Sequence, residues 1–252
     1  MSAFAITGTS RGIGLELVKQ LVALPEAQVS KVFAITRGSS AQLESIINSS
    51  NGRVINIVID DLTNEESVQK GIAEVKKHSQ SLDVLVNNAG IMSITPKGTR
   101  SVPAADLRKV LDVNLVGVQV ITSAFLPLLE QGTDKKVINI STSMSSIAYA
   151  KRYAKHAPTH SYKISKAAMN MLTALYAEDH EDFTFVAVSP GWLATDLGSE
   201  HADLPVETGV ASVKDIILRV DKTHSGKFLN IHVPGWENAK APNVYDGKEV
   251  PW

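Results

Sequence analysis

Residues 5–17 read AITGTSRGIGLEL, an apolar run that passes through three glycines into a helical pattern. Gly8 alone would suffice for a tight turn, because glycine enters left-handed backbone at little steric cost. Gly12 and Gly14 need a further reason, which the segments that follow supply.

At 252 residues and 27.1 kDa the chain is long enough for one large α/β domain. With 25 Lys+Arg against 26 Asp+Glu, the formal charge of -1 leaves no electrostatic footprint for nucleic acid or an anionic membrane. The expected partner is a small molecule. The chain has no cysteine, which excludes disulfides, thiolate catalysis and Cys-ligated metal sites and fits a cytoplasmic protein; no metal is expected. Met1 to Thr7 is too short and uncharged for a signal peptide, and no run is expected to reach the roughly 20 apolar residues of a spanning helix.

Short apolar, β-branched runs recur: 3–7, 31–36, 53–59, 82–87, 136–141, 183–188 and 226–233. Nearly unbroken apolarity is the pattern of strands buried on both faces of a parallel sheet. Between them GLELVKQLVAL, ESVQKGIAEVKKH, DLRKVLDVNLVGVQVITSAFLPLL, SYKISKAAMNMLTALYAEDH and VETGVASVKDIILRV repeat apolar residues at helical spacing. Strand and helix alternation with right-handed crossovers predicts a single α/β domain over 1–252. Its core is a doubly wound, seven-stranded parallel sheet of Rossmann type with helices on both faces. The tail from Pro234 to Trp252 reads as an irregular terminus.

In such a fold the first strand-turn-helix unit is where a backbone meets a pyrophosphate, because the helix N-terminus offers unpaired N–H groups and a positive dipole end. Gly8 would turn the chain, Gly12 would admit the phosphates, and Gly14 would let the helix pack close to the first strand.

Further motifs follow in order: Asp61-Leu62, Asn87-Asn88-Ala89-Gly90, Asn114 within VLDVNLVG, Ser141-Thr142-Ser143, Tyr162-x-x-x-Lys166, and Pro190-Gly191-Trp192-Leu193-Ala194-Thr195. Together with Thr7-Gly8-x-x-x-Gly12-x-Gly14, this series resembles the short-chain dehydrogenase/reductase family over nearly the whole chain. The tail YDGKEVPW is similar to that of carbonyl reductases of the bacterial C-factor and insect sniffer type and of fungal norsolorinic acid ketoreductase-like proteins.

Tyr162 and Lys166, four apart on a predicted helix, emerge on one face, and of the five tyrosines only Tyr162 has a lysine at that spacing. A neighbouring ammonium is expected to lower the phenol from its reference pKa of about 10 and make it a usable acid and base. The resemblance implies that Tyr162 protonates a carbonyl oxygen, that Lys166 also binds the nicotinamide ribose, and that Asn114 holds a water linking the lysine to solvent. It also implies a hydroxyl partner at the second position after Asn139-Ile140, which here is Thr142 where the family has serine. Ser141 or Ser143 takes the role if the turn shifts by one.

An acidic residue at the end of the second strand would bind ribose hydroxyls and repel a 2′-phosphate, whereas arginine accommodates it. The strand ends Ile35-Thr36-Arg37, and Arg11 in the glycine loop adds a second cation, so the reading is NADPH/NADP+. The resemblance extends the cofactor set to Ser10 and Ile13 in the loop, Asp61 and Leu62 at the adenine, Asn88, Ala89 and Gly90 on the adenosine side, and Pro190, Gly191, Leu193 and Thr195. Substrate contacts are expected from residues 91–94, 144–160, Trp192 and 196–206, within a substrate-loop region of about 191–215. Tyr149, Lys151, Arg152, Tyr153, Lys155 and His156 are candidates in the long segment after Thr142.

These readings converge on an NADPH-dependent carbonyl reductase (ketoreductase) acting on a ketone or aldehyde. The alternatives are an alcohol dehydrogenase working oxidatively and a non-catalytic NADP(H)-sensing regulator. Apolar residues beyond one face of the helices after the fourth and fifth strands predict a homodimer or homotetramer.

Overall fold

The seven apolar runs form one sheet of parallel strands in a computed structural model that describes residues 1–154, 157–239 and 242–252. The strands are β1 (Ser2–Thr7), β2 (Val29–Thr36), β3 (Val54–Val58), β4 (Val84–Asn87), β5 (Lys136–Ile140), β6 (Thr184–Ser189) and β7 (Lys227–Asn230), in spatial order β3-β2-β1-β4-β5-β6-β7. Helices α1 (Gly12–Val22), α2 (Ala41–Ser49), α3 (Glu65–Lys76), α4 (Ala104–Leu111), α5 (Gly117–Glu130), α6 (Ala150–Tyr153), α7 (His160–Asp179) and α8 (Val206–Arg219) connect them.

Because side chains alternate along a strand, the sheet has two apolar faces and needs two cores. One gathers Leu17, Val18 and Leu21 of α1 with Val213 and Ile217 of α8 against Phe4, Ile6 and Val186. The other gathers Val68 and Ile72 of α3 with Ile121 and Phe125 of α5 against Phe33, Leu85 and Phe185. Full burial of one such side chain contributes about 1.5–3 kcal/mol, so the two clusters dominate folding. Between the sheet and α5 and α7 lies a polar ladder. Asn87 donates to Thr122 Oγ1 (2.9 Å) and to Asn139 Oδ1 (2.8 Å), and Asn139 donates to Thr173 Oγ1 (2.8 Å). Asn87 and Asn139 are register partners on β4 and β5, so the ladder fixes that strand pair and the side of the sheet on which α7 lies.

Three features depart from the sequence reading. The periodicity did not mark α2, because only Leu43 of its residues is buried; it starts instead on a local device, the Ser40 hydroxyl accepting from Leu43 N. The long helix expected over 106–129 is interrupted by a π turn at Asp112–Val116. The run Ala104–Glu130 is, by length and by a mean hydropathy of 1.5 over an 18-residue stretch of it, apolar enough to cross a membrane, which corrects the expectation that no segment is. Much of that apolarity belongs to Ile121, Phe125, Leu128 and Leu129, which are buried against the sheet. The tail has no helix or strand among its described residues, as expected, but it is tied down. Val250 N donates to Phe228 O, Gly247 N donates to Ile231 O, and the Trp252 ring stacks on Phe228 at 5.6 Å, so the segment runs antiparallel beside the end of β7.

Candidate active site

The strand order reverses direction between β1 and β4, and a crevice opens there at the carboxyl ends of the strands. A cleft of about 550 Å³ lies between Ser10, Arg11 and Gly12 on one wall and Ala194, Thr195 and Asp196 on the other.

The glycines have separate reasons. Gly8 has φ +74, and a Cβ there would lie 2.8 Å from Ala89 Cα, so turn and neighbouring strand both exclude a side chain. A Cβ on Gly14 would lie 2.4 Å from Gly8 O, which is the close helix-to-strand packing anticipated for it. At Gly12 a Cβ would meet only the Thr195 methyl across the cleft, at 3.6 Å. Ser40 caps α2 and Asn64 caps α3, whereas no side chain caps the first turn of α1 and no acidic residue lies in it. Its N-terminal N–H groups and positive dipole end therefore face the cleft without a capping side chain, a suitable place for a phosphate. Ser10 O accepts from Ser40 Oγ (2.9 Å), tying the glycine turn to the start of α2, and Ile13 packs on the core.

Several residues expected at the cofactor also hold the framework around the cleft. Asn88 turns its amide inward, donating to Thr7 O (2.9 Å) and Gly8 O (3.1 Å), so its side chain holds the turn. Leu193 buries its side chain against Gly209, facing away from the cleft, because a Cβ on Gly209 would lie 2.2 Å from Leu193 Cδ2. Asp61 Oδ1 accepts from Thr63 N (2.9 Å) and Thr63 Oγ1 (2.7 Å), while Leu62 packs on Gly117. Arg11 pairs with Asp196 at 2.9 Å, both exposed, bridging the two walls of the cleft. Arg37 is exposed at the end of β2 with no ion pair among the described residues.

On α7, Tyr162 and Lys166 are both buried, one turn apart. Lys166 Nζ donates to Ile140 O (2.6 Å), which brings it over the end of β5. Asn114, fully buried in the π turn, accepts from Ile91 N (2.8 Å) and donates to Ile91 O (2.8 Å) and Ser165 Oγ (3.0 Å). Ser165 in turn donates to Tyr162 O (2.8 Å), so the tyrosine's own turn is anchored to the loop after β4. The space over Gly90 is shared, since a Cβ there would lie 3.2 Å from Asn114 Oδ1 and 3.7 Å from Lys166 Nζ.

The hydroxyl run resolves by partners. Ser141 is buried against Asn170 Oδ1 (2.7 Å), and Ser143 pairs with Tyr153 OH (2.8 Å). Thr142 Oγ1 accepts from Met144 N (3.3 Å), a contact that leaves its hydrogen free to donate.

The electrostatics correct the expected tyrosine shift. Burial pushes Tyr162 up to about 12 and Lys166 down to about 8, because each loses water that would stabilise its charged form. The lysine therefore does not hold a phenolate here. At neutral pH it is mostly protonated beside a neutral phenol, the form that can donate a proton.

Sequence patterns did not reveal the supports of this site. Asp106 Oδ2 accepts from Ser93 Oγ and Ser161 Oγ, both at 2.7 Å, joining the loop after β4 to the start of α7. An Asp in the first turn of α4 reads as ordinary helix chemistry, and nothing in the spacing names its serine partners. The segment after Thr142 holds a short 3-10 turn and α6, where Arg152 lies over the Tyr149 ring at 5.0 Å. Lys151 is exposed; Lys155 and His156 lie outside the described residues. Ile94, Ile147, Trp192 and Leu197 stand exposed on the three loops after β4, β5 and β6. Pro190 is buried, and Gly191 packs on Ile231 and Tyr245.

Comparison with known proteins gives the family. The profile of the family described as short chain dehydrogenase matches residues 2–204. The C-signal protein of Myxococcus xanthus is 33% identical over 173 residues, 68% of this chain and 93% of that protein. Carbonyl reductase Sniffer of D. melanogaster superposes with a TM-score of 0.85 at 28% identity, covering 100% of both chains. The NADPH-bound carbonyl reductase from chicken fatty liver superposes with a TM-score of 0.84 at 26% identity, covering 100% of this chain and 99% of that one.

Proposed function

Since this chain belongs to the short-chain dehydrogenase family, we propose that it is an NADPH-dependent carbonyl reductase that converts a ketone or aldehyde to an alcohol, with Tyr162 as the acid. The observation that carries the reading is the buried phenol and buried amine on one turn of α7, held at the end of β5 beside an uncapped glycine-turn helix. The residues fit the cofactor: the first turn of α1 would take the pyrophosphate, Arg37 the 2′-phosphate, and Lys166 the nicotinamide ribose. NADPH, when bound, supplies a hydride to the carbonyl carbon.

The carbonyl oxygen then needs a proton, and Tyr162 gives up its phenolic hydrogen to it. Thr142 orients the same oxygen through its free hydroxyl hydrogen. Lys166 restores the phenol's proton and keeps a proton of its own from solvent by way of Asn114. Hydride on carbon and proton on oxygen together make the alcohol. The test is a panel of ketones, aldehydes and alcohols with NADPH consumption or formation followed by absorbance. Tight NADPH binding without turnover of any carbonyl would replace this reading with the sensing regulator.

For cofactor choice, Arg37 is expected to make a charge-assisted contact to the 2′-phosphate. Arg37→Asp should raise the KM for NADPH about tenfold to a hundredfold, since such contacts contribute about 1.5–3 kcal/mol, and narrow the gap to NADH. Steady-state kinetics with both cofactors checks this, and a wild type that uses NADH equally well would overturn it.

For assembly, Ile164, Met171 and Leu175 stand exposed along α7, with Val116 exposed at the start of α5. Covering these positions by a second copy across a two-fold axis would give the homodimer or homotetramer. Light scattering at micromolar concentration should return at least twice the 27.1 kDa chain mass; a monomer mass sinks the assignment.

A further inference from the structure

The segment that leaves β6 forms one wall of the cleft as a loop whose neck is closed by its own backbone. Ala194 N donates to Leu204 O (2.9 Å) and Leu204 N donates to Trp192 O (3.2 Å). Everything the loop presents to the cleft, including Thr195 and Asp196, hangs from that neck. A residue of the C-terminal tail sits directly beneath it. Tyr245 is 3% exposed, its ring tilts against Trp236 at 5.2 Å, and its backbone is paired, Val233 N donating to Tyr245 O at 3.0 Å.

The phenol oxygen of Tyr245 joins the two ends of the loop. Trp192 N donates to it at 3.1 Å, and it donates to Asp203 Oδ2 at 2.6 Å. Asn243 Nδ2 donates to the same carboxylate oxygen at 2.6 Å, so a second tail residue holds the far end. The ring also decides the backbone before the loop. Gly191 has φ +85, and a Cβ there would lie 3.1 Å from Tyr245 Cε1 and 2.9 Å from Ile231 Cδ1. The exit from β6 therefore lies flat on the tyrosine ring, in a conformation a side chain would not permit.

We propose that Tyr245 is a positioning residue for the substrate: acting through Trp192 N and Asp203, it sets the height of the 192–204 loop over the cleft, so the C-terminal tail is part of the site. This rests on the reductase reading in that residues 196–206 of the loop are taken as a wall of the substrate site, while Ala194, Thr195 and Asp196 face the glycine turn. Burial and the adjacent Asp203 carboxylate push the Tyr245 phenol well above its ordinary range, so it remains a neutral donor at working pH. One oxygen serves as both acceptor and donor, and no other residue type of this shape can do both. Phenylalanine keeps the ring under Gly191 but leaves Trp192 N–H and Asp203 without their shared partner.

The test compares full-length wild type with Tyr245→Phe and Asp203→Ala. Hydrogen exchange in the absence of substrate should be about tenfold faster for amides 192–204 in Tyr245→Phe, with β1, β4 and β5 amides unchanged, because the local opening is selectively favoured. In turnover, the carbonyl KM should rise about fivefold to twentyfold with kcat within about threefold, as when binding is lost and the chemical step is not. Asp203→Ala removes the oxygen that accepts from Tyr245 and Asn243, so it should reproduce both changes, faster exchange of the loop and a raised carbonyl KM. Exchange that accelerates equally across the sheet, or a loop that exchanges at the wild-type rate, would overturn the proposal, as would kcat falling with KM unchanged. A wild type that reduces no carbonyl would remove the reductase reading and leave the clamp to be decided by the exchange comparison alone.

Discussion

Tyr162→Phe is expected to lower kcat for carbonyl reduction by about 10²- to 10⁴-fold with NADPH affinity nearly unchanged, the usual contribution of a positioned acid. The substitution removes one oxygen and keeps a ring whose packing on α7 is already buried, so folding is not the variable. The hydroxyl has no hydrogen-bond partner among the described residues, and its loss orphans nothing else. Thr142 belongs to the same experiment. Thr142→Ala should lower kcat with little change in cofactor affinity, and Thr142→Ser should largely restore it, because only the hydroxyl is needed. Full activity in Thr142→Ala alongside a dead Ser143→Ala would move the role by one residue. Wild-type turnover in Tyr162→Phe would remove the mechanism.

Lys166→Met should have opposite effects on activity and stability. Turnover should fall and NADPH binding weaken, since the amine has a task at the phenol and another at the ribose. Stability should rise. Lys166 is lowered to about 8 by burial, whereas an unfolded lysine titrates near 10.4. Between those values the unfolded chain binds more protons than the folded one, so wild-type stability climbs with pH across that window; below about pH 8 the full penalty of the buried ammonium is present. Removing the charge is worth about 1–3 kcal/mol at pH 7 by that linkage, less the hydrogen bond to Ile140 O. For a chain of this size the gain corresponds to a rise in Tm of about 2–10 °C. Calorimetry across pH 7 to 10.5 should show the advantage shrinking as pH rises. A Lys166→Met protein that melts below wild type at pH 7 would contradict the assignment of an uncompensated buried amine. The same titration predicts that the rate of reduction falls above about pH 8, as Lys166 loses the proton it passes to Tyr162.

Much of the molecule was legible in the chain because its signals are local or repeat along it. Buried parallel strands must be apolar on both sides, so all seven could be read from unbroken β-branched runs. The glycines of the first turn answer to distances set within one strand-turn-helix unit, as the approach of Gly14 to Gly8 O shows. Tyr162 and Lys166 share a face because four residues make about one helical turn. Where a feature depends on a partner far along the chain, the sequence was silent. Asp106 meets Ser93 and Ser161, Asn88 turns back to Thr7 and Gly8, and Leu193 falls into the core under Gly209, none of which any spacing announces. The sign of the tyrosine shift belongs to the same class: four-residue spacing brings an amine near a phenol, but burial of both groups decides which charge survives. Composition likewise marks the last nineteen residues, Pro234 to Trp252, as irregular. Only the folded chain puts Tyr245 under Gly191 and within reach of Asp203, because hydrogen bonds across 42 and 53 residues are set by how the sheet stacks its ends and not by any period in the sequence.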